Sequence, residues 1–227
     1  MLEDPINKTK TIIGIFFSIL ILISALLFTP FLNYTILDKL TIFWLGRVSI
    51  WVCLLLVYLY IKLIEKQKFL LWTENYLSIP DSIKSFFKII GTIFLGALII
   101  GLTLKVFGLK PDESSKMVEI VKIMKHNLPL LLFTCLTAGV TEEFIFRGYL
   151  MPRLQLFFNN NYASIVISSM LFGIMHVGYG TVFQVLGPIF IGVVFAVHYQ
   201  KFRNLKIIMF CHFFWDFMQL MIATKIK

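Results

Sequence analysis

The length of the apolar runs limits this chain more than any other feature. From Thr11 to Phe31, built around IIGIFFSILILISALLF, no residue carries a charge. A helix rises 1.5 Å per residue, so about 20 such residues cross the ~30 Å hydrocarbon core of a bilayer. Further runs of this kind cover about Ile42 to Ile64, Phe86 to Phe107, Leu128 to Pro152, Tyr162 to His176, Phe183 to Tyr199 and Leu205 to Thr224. The expected fold is therefore all-α, a polytopic membrane bundle of about seven transmembrane helices.

Composition agrees. Of 227 residues, 59% are hydrophobic and 15% charged, with a mean hydropathy of +0.87, whereas a soluble domain is about a quarter charged. The net charge of +9 suits lysines at span ends beside anionic headgroups. No basic stripe interleaved with aromatics lies outside the runs, so nucleic acid is not an expected partner; the lipid bilayer is. Loops and span ends hold about 12 Lys/Arg on the side of the N-terminus and about 9 on the other, which favours a cytoplasmic N-terminus. MLEDPINKTK mixes acids with lysines, and no small-residue cleavage site follows the first run. A retained span is expected there rather than a cleaved signal. Cys53, Cys135 and Cys211 all lie in apolar runs, as buried hydrophobes rather than a disulfide framework.

Gly91, Gly96 and Gly101 recur at a spacing that does not keep one helix face. A polar stretch from Lys110 to Asn127 places Met117, Val118, Val121 and Met124 at helical spacing, which suits an amphipathic helix lying flat on the membrane surface. The first three runs are plain hydrophobic helices, the second with Arg47 near its start, and the unusual polar residues fall in the last four. The chain divides near Lys110 into a three-helix membrane scaffold, 1–110, and a functional core, 111–227.

In that core, TEEFIFRGYL puts three charges into an apolar context. A charge at the bilayer centre costs about 2.5–3.5 kcal/mol on insertion scales. Glu143 and Arg147, four apart, share a helix face and can pair. Glu142 lies about 100° round the axis from Glu143 and has no local partner. Downstream, MLFGIMHVGYG holds Phe172 and His176 four apart, and CHFFWDFMQL holds His212 and Asp216 four apart. A free carboxylate, two histidines and a second carboxylate are the equipment for activating water. No Gly-x-Ser-x-Gly elbow or Cys–His signature points to a covalent nucleophile. His126 and His198 fall at span edges and are expected at the interface.

Glu-Glu-x-x-x-Arg, Phe-x-x-x-His and His-x-x-x-Asp, in this order on successive runs, resemble the CPBP family of intramembrane proteases. That family includes the CAAX prenyl endopeptidases and the bacterial Abi and bacteriocin-immunity proteins. The resemblance covers about Lys125 to Thr224, with Arg-Gly-Tyr-Leu after the first motif also similar. It implies an endopeptidase acting on a peptide or membrane-protein substrate in the bacterial cell membrane. Glu142 would be the general base on water, helped by His176; His212 and Asp216 would steady the oxyanion; Glu143 and Arg147 would brace the helix and Phe172 would pack the site. Asp216 stands where the family has Asn or Asp. Asparagine donates to an oxyanion and an ionised aspartate does not.

Three carboxylates against one arginine leave the site near −2 with neutral histidines, which a low-dielectric site resists. A His212 imidazolium or a divalent metal would restore the balance. Glu142, His176 and His212 would be the ligands in the metal version, a set that suits zinc. Two other readings use the same residues: a non-enzymatic immunity or regulatory protein that binds a peptide or membrane partner, and a transporter with a proton relay. The absence of inverted repeats counts against the transporter.

Overall fold

The computed structural model describes residues 7–32, 36–108 and 114–226, and the described residues contain no strand. The expected division point, Lys110, lies outside them. The helices are α1 (Lys8–Leu32), α2 (Lys39–Tyr60), α3 (Ile79–Val106), α4 (Ser115–Met124), α5 (Leu128–Thr137), α6 (Met151–Phe158), α7 (Asn161–Ile174), α8 (Phe183–Phe202) and α9 (Leu205–Ile226). Seven helical segments among the described residues are long and apolar enough to cross a membrane. The protein is an integral membrane protein with the all-α architecture its apolar runs require.

Short polar punctuation sets the boundaries. Asp38, Ser78, Asn127 and Asn160 each place a side-chain oxygen on a backbone N–H of the first turn of α2, α3, α5 and α7, satisfying donors that a helix start leaves open. The Ser78 cap, followed by Pro80, starts α3 at Ile79, seven residues ahead of the apolar run expected from Phe86. The fourth span is longer too, Leu128–Phe158, and it is not uniformly α-helical. Between α5 and α6 the backbone widens into π-helical turns at Ala138–Glu142 and Phe144–Leu150. Pro152 falls just after them, in the first turn of α6.

α4 forms where the amphipathic pattern places it, but its apolar edge is turned inward. Val121 and Met124 are buried, and Met117 and Ile120 line an internal cavity. Ser114 donates to the Tyr179 carbonyl at 2.6 Å, and Lys39 pairs with Glu119. The helix therefore closes one end of the bundle, because the cavity offers its apolar residues protein contact in place of lipid.

The opposite end is fastened by charge. Arg153 and Glu65 are buried and paired at 2.6 Å, and the Tyr149 hydroxyl donates to Glu65 at 3.0 Å. The same guanidinium donates to the carbonyls of Phe69, Tyr149 and Lys68. Residues 66–78 then run beneath the α8–α9 turn, where Glu74 accepts from Tyr199 Oη and Leu205 N, and Arg203 lies 3.3 Å over the Trp72 ring. His198, expected at the interface, is buried instead, with its ring 4.5 Å from that of Phe202. His126 is exposed, and all three cysteines are free and buried.

Gly139, in the first π-helical turn, lets α9 approach closely. A Cβ there would sit 2.8 Å from the Met209 carbonyl oxygen and 2.9 Å from the Phe213 nitrogen. Both are backbone atoms, so α9 itself would have to move. Gly101, by contrast, has nothing within 4 Å of an added Cβ.

Two outcomes are expected. Removing one partner of a buried ion pair strands the other, at about 3–5 kcal/mol; Glu65→Ala should therefore lower the thermal midpoint in detergent far more than the double change Glu65→Met with Arg153→Met. Gly139→Ala should destabilise by about 1–3 kcal/mol through overpacking, while Gly101→Ala should be neutral or stabilising. A reversed order in either thermal-shift comparison refutes the packing described.

Candidate active site

The two adjacent glutamates are given different surroundings. Glu143 is fully buried. Its Oε1 accepts from Arg147 Nη1 at 2.9 Å and from His212 Nδ1 at 2.8 Å. Arg147 is equally buried, donates from Nη2 to the Gly192 carbonyl at 3.2 Å, and lies 4.5 Å over the Phe172 ring. Gly192 makes this possible, since a Cβ there would stand 3.3 Å from Arg147 Nη2 and 3.1 Å from Ser169. The i,i+4 pairing expected from sequence is present. The link from Glu143 to His212, 69 residues away, is a tertiary contact that no local spacing announces.

Glu142 is half-buried and faces open space. It lines two adjoining cavities of about 180 and 210 Å³. His176, Phe172, Tyr179, Phe43 and Arg47 border both; His212 and Asp216 border the first. All four residues expected to do chemistry thus line one cavity. Phe172 packs among them, edge-on to Phe146 at 5.2 Å and to His212 at 5.9 Å, with the His176 ring at 5.1 Å.

Hydrogen bonds fix how the histidines present themselves. α7 ends at Ile174, so His176 sits just beyond it, ahead of the short turn Val177–Tyr179. Its Nδ1 is 2.8 Å from the Phe172 carbonyl oxygen. A carbonyl only accepts, so Nδ1 carries the proton and the neutral ring offers Nε2 as a lone pair. His212 has its Nδ1 on Glu143, and its Nε2 is 3.6 Å from Asp216 Oδ2. That distance is an electrostatic contact rather than a hydrogen bond. The expected mutual orientation of His212 and Asp216 is therefore looser than their spacing implies, and Glu143 is the residue that holds the ring.

A metal ion would need donors that converge. Among the described residues no three His, Cys, Asp or Glu side chains do so. With both Nδ1 atoms engaged, the nitrogens left to the histidines come from separate walls of the cavity. The Glu142, His176 and His212 set does not fit a metal in this arrangement.

Sequence reasoning assigned nothing to α2, α3 or Tyr179. Phe43 and Arg47 from α2, with Ile93, Ala97 and Ile100 from α3, form part of the cavity wall. Tyr179 stacks beside His176 at 5.9 Å. An arginine inside an otherwise apolar run was the available signal for α2. Tyr179 stood inside the MHVGYG stretch already singled out for its histidine.

Residues 124–218 match a family model described as Type II CAAX prenyl endopeptidase Rce1-like. The segment holds Glu142, Glu143, Arg147, Phe172, His176, His212 and Asp216. It agrees closely with the Lys125 to Thr224 stretch that carries the motif resemblance. No curated protein and no solved structure matches the chain. Residues 124–218 are thus similar in sequence to a family of membrane proteases, and the same segment carries the charges that are paired or aimed into the cavity.

Proposed function

We propose that the protein is an intramembrane endopeptidase that hydrolyses a peptide bond with water activated by Glu142 and His176. The observation that carries this reading is the separation of the glutamates: Glu143 is consumed by Arg147 and His212, whereas Glu142 has neither as a partner and lines the cavity beside His176. A general base must reach a water and be free to take its proton.

In the proposed reaction the carboxylate of Glu142 takes one proton from a water held between it and Nε2 of His176. The hydroxide oxygen bonds to the scissile carbonyl carbon, and the carbonyl oxygen becomes an oxyanion. His212 is turned by Glu143 so that Nε2 faces the cavity, and when protonated there it donates to the oxyanion. Asp216, 3.6 Å away, favours that proton electrostatically, which gives the aspartate a role that does not need it to donate. The C–N bond then breaks, and the amine leaves with the proton carried by Glu142. Apolar walls from α3, α8 and α9 suit an extended apolar substrate, a secreted peptide or a membrane-associated protein end, and keep the charges in a low dielectric where they act strongly.

The cavity lies toward the membrane face opposite the N-terminus, since α4, the turn Val177–Tyr179 and the start of α2 border it. The Glu65–Arg153 pair marks the other face. With the N-terminus cytoplasmic, as the Lys/Arg bias favours, the site opens to the outer side.

Glu142→Gln is expected to abolish turnover by about 10²-fold or more while leaving the thermal midpoint unchanged or raised. Comparative peptidomics of cells expressing wild type and this variant at matched levels should reveal a processed terminus that disappears. Identical peptidomes with folded protein would refute proteolysis and favour a binding protein. Sidedness is checked separately: Lys116→Cys should react with a membrane-impermeant maleimide on intact cells and Lys206→Cys should not. The reverse labelling would place the site on the cytoplasmic side.

A further inference from the structure

Arg47 is the charged residue of the first cavity that neither the family match nor the proposed reaction uses. It lies on α2, eight residues past Lys39 and so about 12 Å inside the span, and well outside residues 124–218. Its side chain borders both cavities together with Glu142, His176 and Tyr179. Its Nε is buried without a hydrogen-bond partner among the described residues. The ring contact to the guanidinium is with Phe43, one turn back at 5.1 Å.

Magnitudes show that this is an incomplete arrangement. An arginine inside a span costs about 2.5–3.5 kcal/mol even on insertion scales. A single cation–π contact returns about 0.5–2 kcal/mol. Arg153 and Arg147 in the same bundle are each matched by a glutamate at 2.6 and 2.9 Å. Arg47 has no such carboxylate, yet it sits where a substrate must lie.

The second cavity, which Arg47 shares, adds to the case. Lys39 at its rim is paired with Glu119. Lys116, also at the rim, reaches the Gly178 carbonyl at 3.4 Å and faces the Tyr179 ring. Setting the Lys39–Glu119 pair aside, this lobe holds two cations, Arg47 and Lys116, against one carboxylate, Glu142. An anionic group entering it meets a positive field beside the proposed base, in apolar surroundings that strengthen the attraction.

We infer that Arg47 is the substrate-binding residue that receives a carboxylate, either the C-terminal carboxylate of a peptide or an acidic side chain close to the cleaved bond. Its planar fork offers two parallel donors to such a group. An anchored carboxylate one lobe away from Glu142 would set which peptide bond lies over the base. The positional consequence rests on the peptidase reading, whereas the binding itself does not.

The test separates the two. Protein carrying Glu142→Gln is placed in nanodiscs and titrated with three N-dansyl peptides of sequence Gly-Ile-Leu-Phe-Ala-Leu, read by fluorescence anisotropy. The first has a free C-terminus, the second is amidated, and the third is amidated with Asp in place of Ala. The free acid is expected to bind at least about tenfold tighter than the amide, the worth of one charge-assisted hydrogen bond. Equal recovery by the Asp peptide would identify a side-chain carboxylate as an equally good source, and no recovery would identify the C-terminus.

In Arg47→Met on the same background the preference should vanish. In Arg47→Lys, which keeps the charge without the fork, it should persist in reduced form, and that variant stands in if the methionine protein does not fold. Equal affinity for all three peptides, a carboxylate preference that survives Arg47→Met, or no binding of any peptide each overturns the inference. Carboxylate-selective binding by a protein whose Glu142 form leaves the peptidome unchanged would sink the peptidase reading and leave this one standing.

Discussion

A single carboxylate, that of Glu143, sets the geometry around the cavity. An ionised group in a low-dielectric interior is tolerated only when partners surround it. Glu143 Oε1 has two, Arg147 from its own span and His212 from α9. Arg147 in turn donates to the Gly192 carbonyl of α8. One buried charge thus ties the α5–α6 span to α8 and α9, and the glycines at 139 and 192 are the positions where those helices come near enough for the bonds to close.

The freedom of Glu142 follows from the commitment of Glu143. Neighbouring residues on a helix cannot share a face, so once Glu143 points into the α8–α9 packing, Glu142 points elsewhere. The π-helical turns, one ending at Glu142 and the other starting at Phe144, change the register of the backbone at that place, as such turns often do at functional sites. The histidines are divided in the same way. His176 is oriented by a backbone carbonyl and His212 by Glu143, and each is left one ring nitrogen for the cavity.

The spans were legible because lipid enforces long apolar helices, and their number followed from run length alone. Helix boundaries were less so. The caps at Ser78 and Asn160 and the continuation past Pro152 depend on hydrogen bonds that hydropathy does not register. In the site, i,i+4 spacing announced the Glu143–Arg147 pair correctly, but it overstated His212–Asp216, where the ring is held from across the bundle. Arg47 stood near the start of an apolar run, but the other residues of the cavity wall come from elements as far along the chain as α9, and nothing local places it beside Glu142. The Glu65–Arg153 pair was hidden for the same reason, 88 residues apart in sequence.

Three arginines of this bundle, Arg153, Arg147 and Arg47, differ in how far their nitrogens are satisfied. Arg153 spends every nitrogen, on both oxygens of Glu65 and on three carbonyls. A group so fully satisfied gains nothing from a ligand; it is a staple. Arg147 is paired, but its Nε, like Glu143 Oε2, finds no partner among the described residues, so the charge cluster beneath the cavity is stable without being saturated. Arg47 has an aromatic ring and open space. Unsatisfied polarity in a membrane interior costs too much to be spread at random. Buried polar atoms without a partner among the described residues also occur at the Glu65–Arg153 end, at Arg203 Nη1 and His198 Nε2, so what sets Arg47 apart is that it borders both cavities.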